Sequence, residues 1–130
     1  NFELIIEFKK TDAKEFGIKI CNSPDGEETT MVFYDTTEKK LKVDSTKSSS
    51  GRSSGSVESA PLELRSTEGL KLRIFVDKSI VEVFANSRQA IARHIFPENE
   101  NSTGVKVFSK KADTLITKFE SWQIAPSNPY

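Results

Sequence analysis

Along most of the chain, apolar residues recur at every second position, the period of a strand with one buried face. Phe2, Leu4, Ile6 and Phe8 alternate with Glu3, Ile5 and Glu7, and Phe16, Ile18 and Ile20 alternate with Gly17, Lys19 and Cys21. Pro24-Asp25-Gly26 then reads as a turn, because proline pre-sets φ and glycine accepts a positive one. The β-branched and aromatic run Thr29 to Asp35 returns as a strand, and Glu38 to Asp44 sets Leu41 and Val43 on one face. Pro61 to Leu64 predicts a short strand. Leu70 to Asp77 alternates Leu70, Leu72, Ile74 and Val76 with Lys71, Arg73, Phe75 and Asp77, so the first set is expected to be buried. Ile80 to Ala85 and Gln89 to Phe96 complete a three-stranded meander, with Asn86 the residue expected in the left-handed conformation at its second turn. Gly104 to Ser109 and Thr114 to Ile124 predict the last strands.

No stretch carries a helical period. About ten short strands with turn signals roughly every 8–12 residues predict an all-β fold. The expected architecture is an antiparallel two-sheet β-sandwich of the jelly-roll or concanavalin-like kind. One domain is expected over residues 1–125. Residues 126–130 form a tail, since prolines there donate no ladder hydrogen bond.

Ser45 to Ser59 breaks the pattern. Eight of these residues are serine, two are glycine, and Val57 is the only large apolar one. Such a segment has little to bury against its ordering entropy and is expected to be a mobile loop.

The chain has 130 residues, which is one domain's worth. Lysine plus arginine and aspartate plus glutamate are 19 each, a balance that argues against a nucleic acid or an anionic membrane as partner. Mean hydropathy is -0.47, and no run approaches the ~18 apolar residues of a membrane-spanning helix. The chain opens on Asn1 without a targeting signal and is expected to be part of something longer. Cys21 is the only cysteine, so no internal disulfide can form.

Candidate chemistry is sparse. One histidine and one cysteine cannot build a zinc site of such ligands. Asp25-Gly26-Glu27-Glu28 lacks the ligand spacing of a calcium loop and reads as a solvated turn. His94 lies mid-strand with no Gly-x-Ser-x-Gly elbow before it. Gly51 to Gly55 lacks the Lys-Ser/Thr ending of a phosphate loop. No metal or cofactor is expected. Asp77 and Glu82 lie on opposite arms of one hairpin and could face each other, as a glycosidase pair must. The tight turn between them leaves no cleft, so solvent-facing charges are the preferred reading. Asn101-Ser102-Thr103 is a glycosylation sequon in a polar loop. Among the aromatics, Trp122 reads more readily as core than as a platform, and Tyr34, beside Asp35, reads as a surface ring. Both stand as candidate carbohydrate contacts.

Leu72-Arg73-Ile74-Phe75-Val76-Asp77-Lys78-Ser79-Ile80-Val81-Glu82-Val83-Phe84 resembles the most characteristic stretch of the C-terminal β-sandwich of glycoside hydrolase family 32. That family holds invertases, levanases, inulinases and other β-fructofuranosidases. Gln89 to Pro97 matches the strand that ends in Ile-Phe-Pro. Glu15 to Lys19, Tyr34-Asp35, Lys40 to Asp44, and Trp122 with Pro126-x-x-Pro129-Tyr130 are similar to further family segments. Within the motif, Asp77, Ser79, Glu82 and Phe84 are expected to be structural. The turn Asn86-Ser87-Arg88 departs from the family's Asn-Asp-Gly.

The resemblance implies a partner, the five-bladed propeller that precedes the sandwich and holds the catalytic carboxylates of a retaining hydrolase. Its Asn-Asp-Pro-Asn-Gly-like, Arg-Asp-Pro and Glu-Cys motifs do not occur in residues 1–130. No catalytic residue carries over. The expectation is a non-catalytic companion module of a secreted or periplasmic enzyme acting on sucrose or β-fructans such as levan and inulin. Its expected role is to stabilise the propeller, with contact to a fructan oligosaccharide or a homodimer interface left open. The alternative is a free-standing, lectin-like carbohydrate-binding module, which needs a sheet face bearing a row of aromatic and polar side chains.

Overall fold

The computed structural model describes residues 1–49, 55–77, 79–95, 97 and 102–123. Ten strands run in chain order: β1 (Phe2–Phe8), β2 (Glu15–Asn22), β3 (Thr30–Asp35), β4 (Lys40–Asp44), β5 (Val57–Pro61), β6 (Leu70–Asp77), β7 (Ile80–Ala85), β8 (Gln89–His94), β9 (Gly104–Lys110) and β10 (Ile116–Gln123). No helix occurs among the described residues. Every pairing is antiparallel. The strands form two five-stranded sheets, ordered β10-β1-β6-β7-β8 and β5-β4-β3-β2-β9. This is the expected sandwich.

The alternating pattern fixes what lies between the sheets. Leu4, Ile6 and Phe8 of β1 and Leu70, Leu72, Ile74 and Val76 of β6 are all buried, as are Val81, Val83 and Ala85 of β7. Phe16, Ile18 and Ile20 of β2, Val32 and Tyr34 of β3, and Leu41 and Val43 of β4 meet them from the second sheet. Phe16 anchors the middle, edge-on to both Phe8 (5.4 Å) and Tyr34 (6.0 Å).

The two long edges of the sandwich differ. At one, polar side chains tie β8 to the β5 strand and its flank. The Arg93 guanidinium pairs with Glu58 at 3.2 Å and donates to the Ser56 hydroxyl at 2.7 Å, and the Gln89 amide donates to the Pro61 carbonyl at 2.8 Å. At the other, Val107 of β9 lies beside Ile18 and Phe119 of β10 beside Ile6, so both point between the sheets. Both are nonetheless exposed, as are Val105 and Ile116. β10 is exposed along its whole length.

Three expectations are corrected. Val57 to Ser59 belong to β5 rather than to a loop, because β4 offers them a ladder in register from Asp44↔Val57 to Lys42↔Ser59. Ser45, Ser48 and Ser49 are buried. The Ser45 N–H and hydroxyl both donate to the Ser56 carbonyl, at 2.9 and 3.0 Å, so short polar side chains here satisfy backbone groups as a strand partner would. Residues 50–54 lie outside the described residues. Second, the strand expected over Pro61 to Leu64 ends at Pro61 instead of starting there. Leu62 turns inward and is buried. Third, Tyr34 is a core residue, not a surface ring. It is 3% exposed and its hydroxyl donates to the Leu62 carbonyl at 2.7 Å. It shares the inward face of β3 with Val32, two residues earlier, so strand parity decides against its neighbour Asp35. The expected strand ends at Phe96 and Ile124, the tail 126–130 and Asn101 of the sequon lie outside the described residues.

The β7–β8 turn contains two left-handed residues, Asn86 (φ 53) and Ser87 (φ 56). Two consecutive positive φ values make a mirror-image turn, closed by the Arg88 N–H donating to the Ala85 carbonyl at 3.0 Å, inside a three-residue connection between the paired Ala85 and Gln89.

Candidate docking face

The outward side of the first sheet is where the motif residues of β6 and β7 emerge. Its side chains stand in rows set by the register. One row runs Trp122, Glu3, Phe75, Glu82, Ala92 across β10, β1, β6, β7 and β8. The next runs Glu120, Ile5, Arg73, Phe84, Ala90. A solvent-facing sheet normally carries polar residues here. This one carries Trp122 at 41% exposure and Phe84 at 39%, with Ile80 also exposed.

Charge is placed specifically among these rings. Glu3 is 6% exposed although it points away from the core, because Trp122 and Phe75 stand on either side of it. The Arg73 Nε donates to its Oε2 at 2.6 Å. The same guanidinium carbon lies 5.0 Å from the centre of the Phe75 ring, a cation–π arrangement. Phe75 meets Phe84 edge-on, with ring centres 5.9 Å apart and planes at 90°. Ile5, Lys71, Arg73, Phe75, Phe84 and Ser87 line a cavity of about 470 Å³ between them.

The remaining candidates fall elsewhere. Asp77 and Glu82 share this face but do not oppose each other: Asp77 sits across from Ile80, and Glu82 across from Phe75. Neither lines the cavity beside Arg73. Ser79 lies at the β6–β7 turn, where its carbonyl accepts the Ile95 N–H at 2.7 Å. His94 ends β8 across from Ile80 on the exposed face. Trp122 is exposed, against the core reading; on an edge strand its parity partners are Glu120 and Lys118, and its neighbour across the sheet is Glu3. Tyr34 and Trp122 therefore lie on different sheets and form no joint sugar platform. Burial pushes the Cys21 thiol up to about 11, so it stays protonated and unreactive at neutral pH. Among the described residues, no three histidine, cysteine, aspartate or glutamate side chains gather as metal ligands.

The Arg73–Glu3 pair was invisible to sequence reasoning. The two residues are 70 positions apart, and only the β1–β6 register brings them together. What the face offers is a patch of rings and one oriented guanidinium.

The two facing sheets and this topology define the class, an all-β sandwich domain. Residues 1–123 match the family model described as glycosyl hydrolases family 32 C terminal. The sucrose-6-phosphate hydrolase of Zymomonas mobilis is 26% identical over 131 residues, covering 97% of this chain and 24% of that protein. The levanase of Bacillus subtilis is 33% identical over 121 residues, 88% of this chain and 17% of that protein. The crystal structure of the exo-inulinase from Aspergillus awamori superimposes with a TM-score of 0.78 at 30% identity, covering 92% of this chain and 24% of that one; that inulinase is described as extracellular. The chain thus belongs to the C-terminal domains of glycoside hydrolase family 32. It spans about a quarter of the length of the first of these relatives.

Proposed function

We propose that this domain is the non-catalytic companion of a secreted or periplasmic hydrolase of sucrose or β-fructans, and that it stabilises the catalytic part by packing the outer face of its first sheet against it. The observation that carries this reading is the exposure of Phe84 and Trp122 on a face that a solvated sheet would make polar. Family membership supplies the partner. The sucrose-6-phosphate hydrolase relative is about four times as long as this domain and the levanase longer still, and an interdomain contact typically buries ~600–1,500 Å². Among the described residues, Asp77 stands across from Ile80 and Glu82 across from Phe75, so the two carboxylates do not make the facing pair of a glycosidase.

The test is thermal unfolding of the longer protein that carries this chain, beside the chain 1–130 alone. Phe84→Ser combined with Trp122→Ser is expected to lower the melting temperature of the longer protein by several degrees and to leave the chain alone nearly unchanged. An equal shift in both forms overturns the docking face.

A further inference from the structure

We infer that Arg73 is the charged anchor of this face and receives a carboxylate side chain presented by the catalytic part of the same polypeptide. The inference rests on the docking reading above and names the chemistry the partner must bring. A guanidinium has five N–H donors in a rigid fork. Among the described residues, Arg73 is engaged through Nε, by Glu3 Oε2 at 2.6 Å. Its terminal nitrogens, Nη1 and Nη2, make no hydrogen bond among the described residues. The group does not swing freely. Glu3 fixes one edge and is itself held between Trp122 and Phe75, while the Phe75 ring centre lies 5.0 Å from the guanidinium carbon.

The cavity beside it has a one-sided charge. Of its lining residues, Lys71 and Arg73 are cationic and none is anionic; Ile5, Phe75 and Phe84 are apolar. In its own row Arg73 stands between Ile5 and Phe84, so no carboxylate flanks it there. While the face is open, water satisfies the terminal nitrogens. Once a partner covers the rings, that water is lost, and terminal N–H groups buried without acceptors cost free energy even though Glu3 still holds Nε. The partner must therefore supply acceptors where the fork points. A carboxylate fits best, because its two oxygens match the two terminal N–H groups and, with the Arg73 charge already met by Glu3, its own charge faces Lys71 on the same cavity.

The experiment follows the melting temperature of the longer protein and of the chain 1–130 for Arg73→Gln, Arg73→Lys and Glu3→Gln. Arg73→Gln is expected to lower the longer protein by several degrees more than the chain alone. Arg73→Lys is expected to restore little, since a lysine lacks the fork. In an Arg73→Glu background, each aspartate and glutamate of the catalytic part is then changed to arginine in turn, and one is expected to recover the lost degrees. If Arg73→Gln lowers both forms equally, Arg73 acts only through Glu3 and the inference falls. It falls too if no charge exchange restores stability, or if sucrose or fructose raises the melting temperature of the longer protein in an Arg73-dependent way, which would make the guanidinium a sugar contact. Should the Phe84/Trp122 variant shift only the longer protein while Arg73→Gln shifts both, the docking face stands and the anchor alone is lost.

Discussion

Asn86 and Lys71 close the end of the β6–β7 ladder by two bonds: the Lys71 N–H donates to the Asn86 side-chain Oδ1 at 2.7 Å, and the Asn86 N–H donates to the Lys71 carbonyl at 2.9 Å. The Asn86 amide nitrogen also donates to the Gly69 carbonyl at 3.0 Å and to Glu68 at 2.9 Å. One residue therefore supplies the left-handed backbone of the turn and the side chain that secures it. Asn86→Gly keeps the backbone and loses the side-chain bonds, each worth about 0.5–1.5 kcal/mol. Asn86→Ala loses the same bonds and adds a left-handed penalty of about 1–2 kcal/mol. Denaturant titration is expected to rank them wild type, Asn86→Gly, Asn86→Ala. Equal stability of the two variants would contradict the conformational part of the argument.

β6 has one face in the core and one on the docking side. Ile74 is fully buried between the sheets, so Ile74→Ala should cost roughly 2–5 kcal/mol in the chain alone. Phe84, 39% exposed and opposite Arg73, has less to lose there. Phe84→Ala is expected to cost the chain alone less than about 1.5 kcal/mol, chiefly through its edge contact with Phe75. A chain in which Phe84→Ala costs as much as Ile74→Ala would have that face covered within itself.

Glu68 gives the stability a pH dependence. Hydrogen bonds from Arg88 (2.6 and 2.9 Å), then from the Arg65 N–H and Asn86, hold its carboxyl well below the usual glutamate range. A group depressed in the folded state stabilises fully above its unfolded value. That contribution starts to be lost as pH falls past the ordinary value of 4.5 and is gone once the folded carboxyl is itself protonated. Arg88→Ala should therefore make the melting temperature less sensitive to pH below that point, while the wild type keeps declining. Identical acid limbs would show that the pair does not contribute; screening by solvent keeps the effect small.

The sandwich was legible because alternation alone decides it. For β6 and β7 even the bounds, Leu70–Asp77 and Ile80–Ala85, follow from where the apolar period starts and stops. β5 was half hidden, since Val57 to Ser59 carry no apolar period and take their strand form from the β4 ladder. Tyr34 and Trp122 exchanged places for a related reason. A residue's type sets how much it gains by burial, while parity and strand position set which side it occupies. Tyr34 sits on a central strand in phase with Val32, and Trp122 on an edge strand out of phase with Phe119. The outward face of the first sheet was legible only in Phe75, which falls in the set alternating with the buried one on β6. Its charged part needed the register between β1 and β6, which no local pattern encodes.

Release of reducing sugar from sucrose, levan and inulin, compared between the chain 1–130 and the longer protein that carries it, tests the central claim most directly. The account predicts turnover by the longer protein on at least one of the three and none by the chain alone, with Asp77→Asn and Glu82→Gln leaving the longer protein's chemistry in place. Turnover by the chain alone that either substitution abolishes would contradict it, and would place a catalytic carboxylate on the hairpin of β6 and β7.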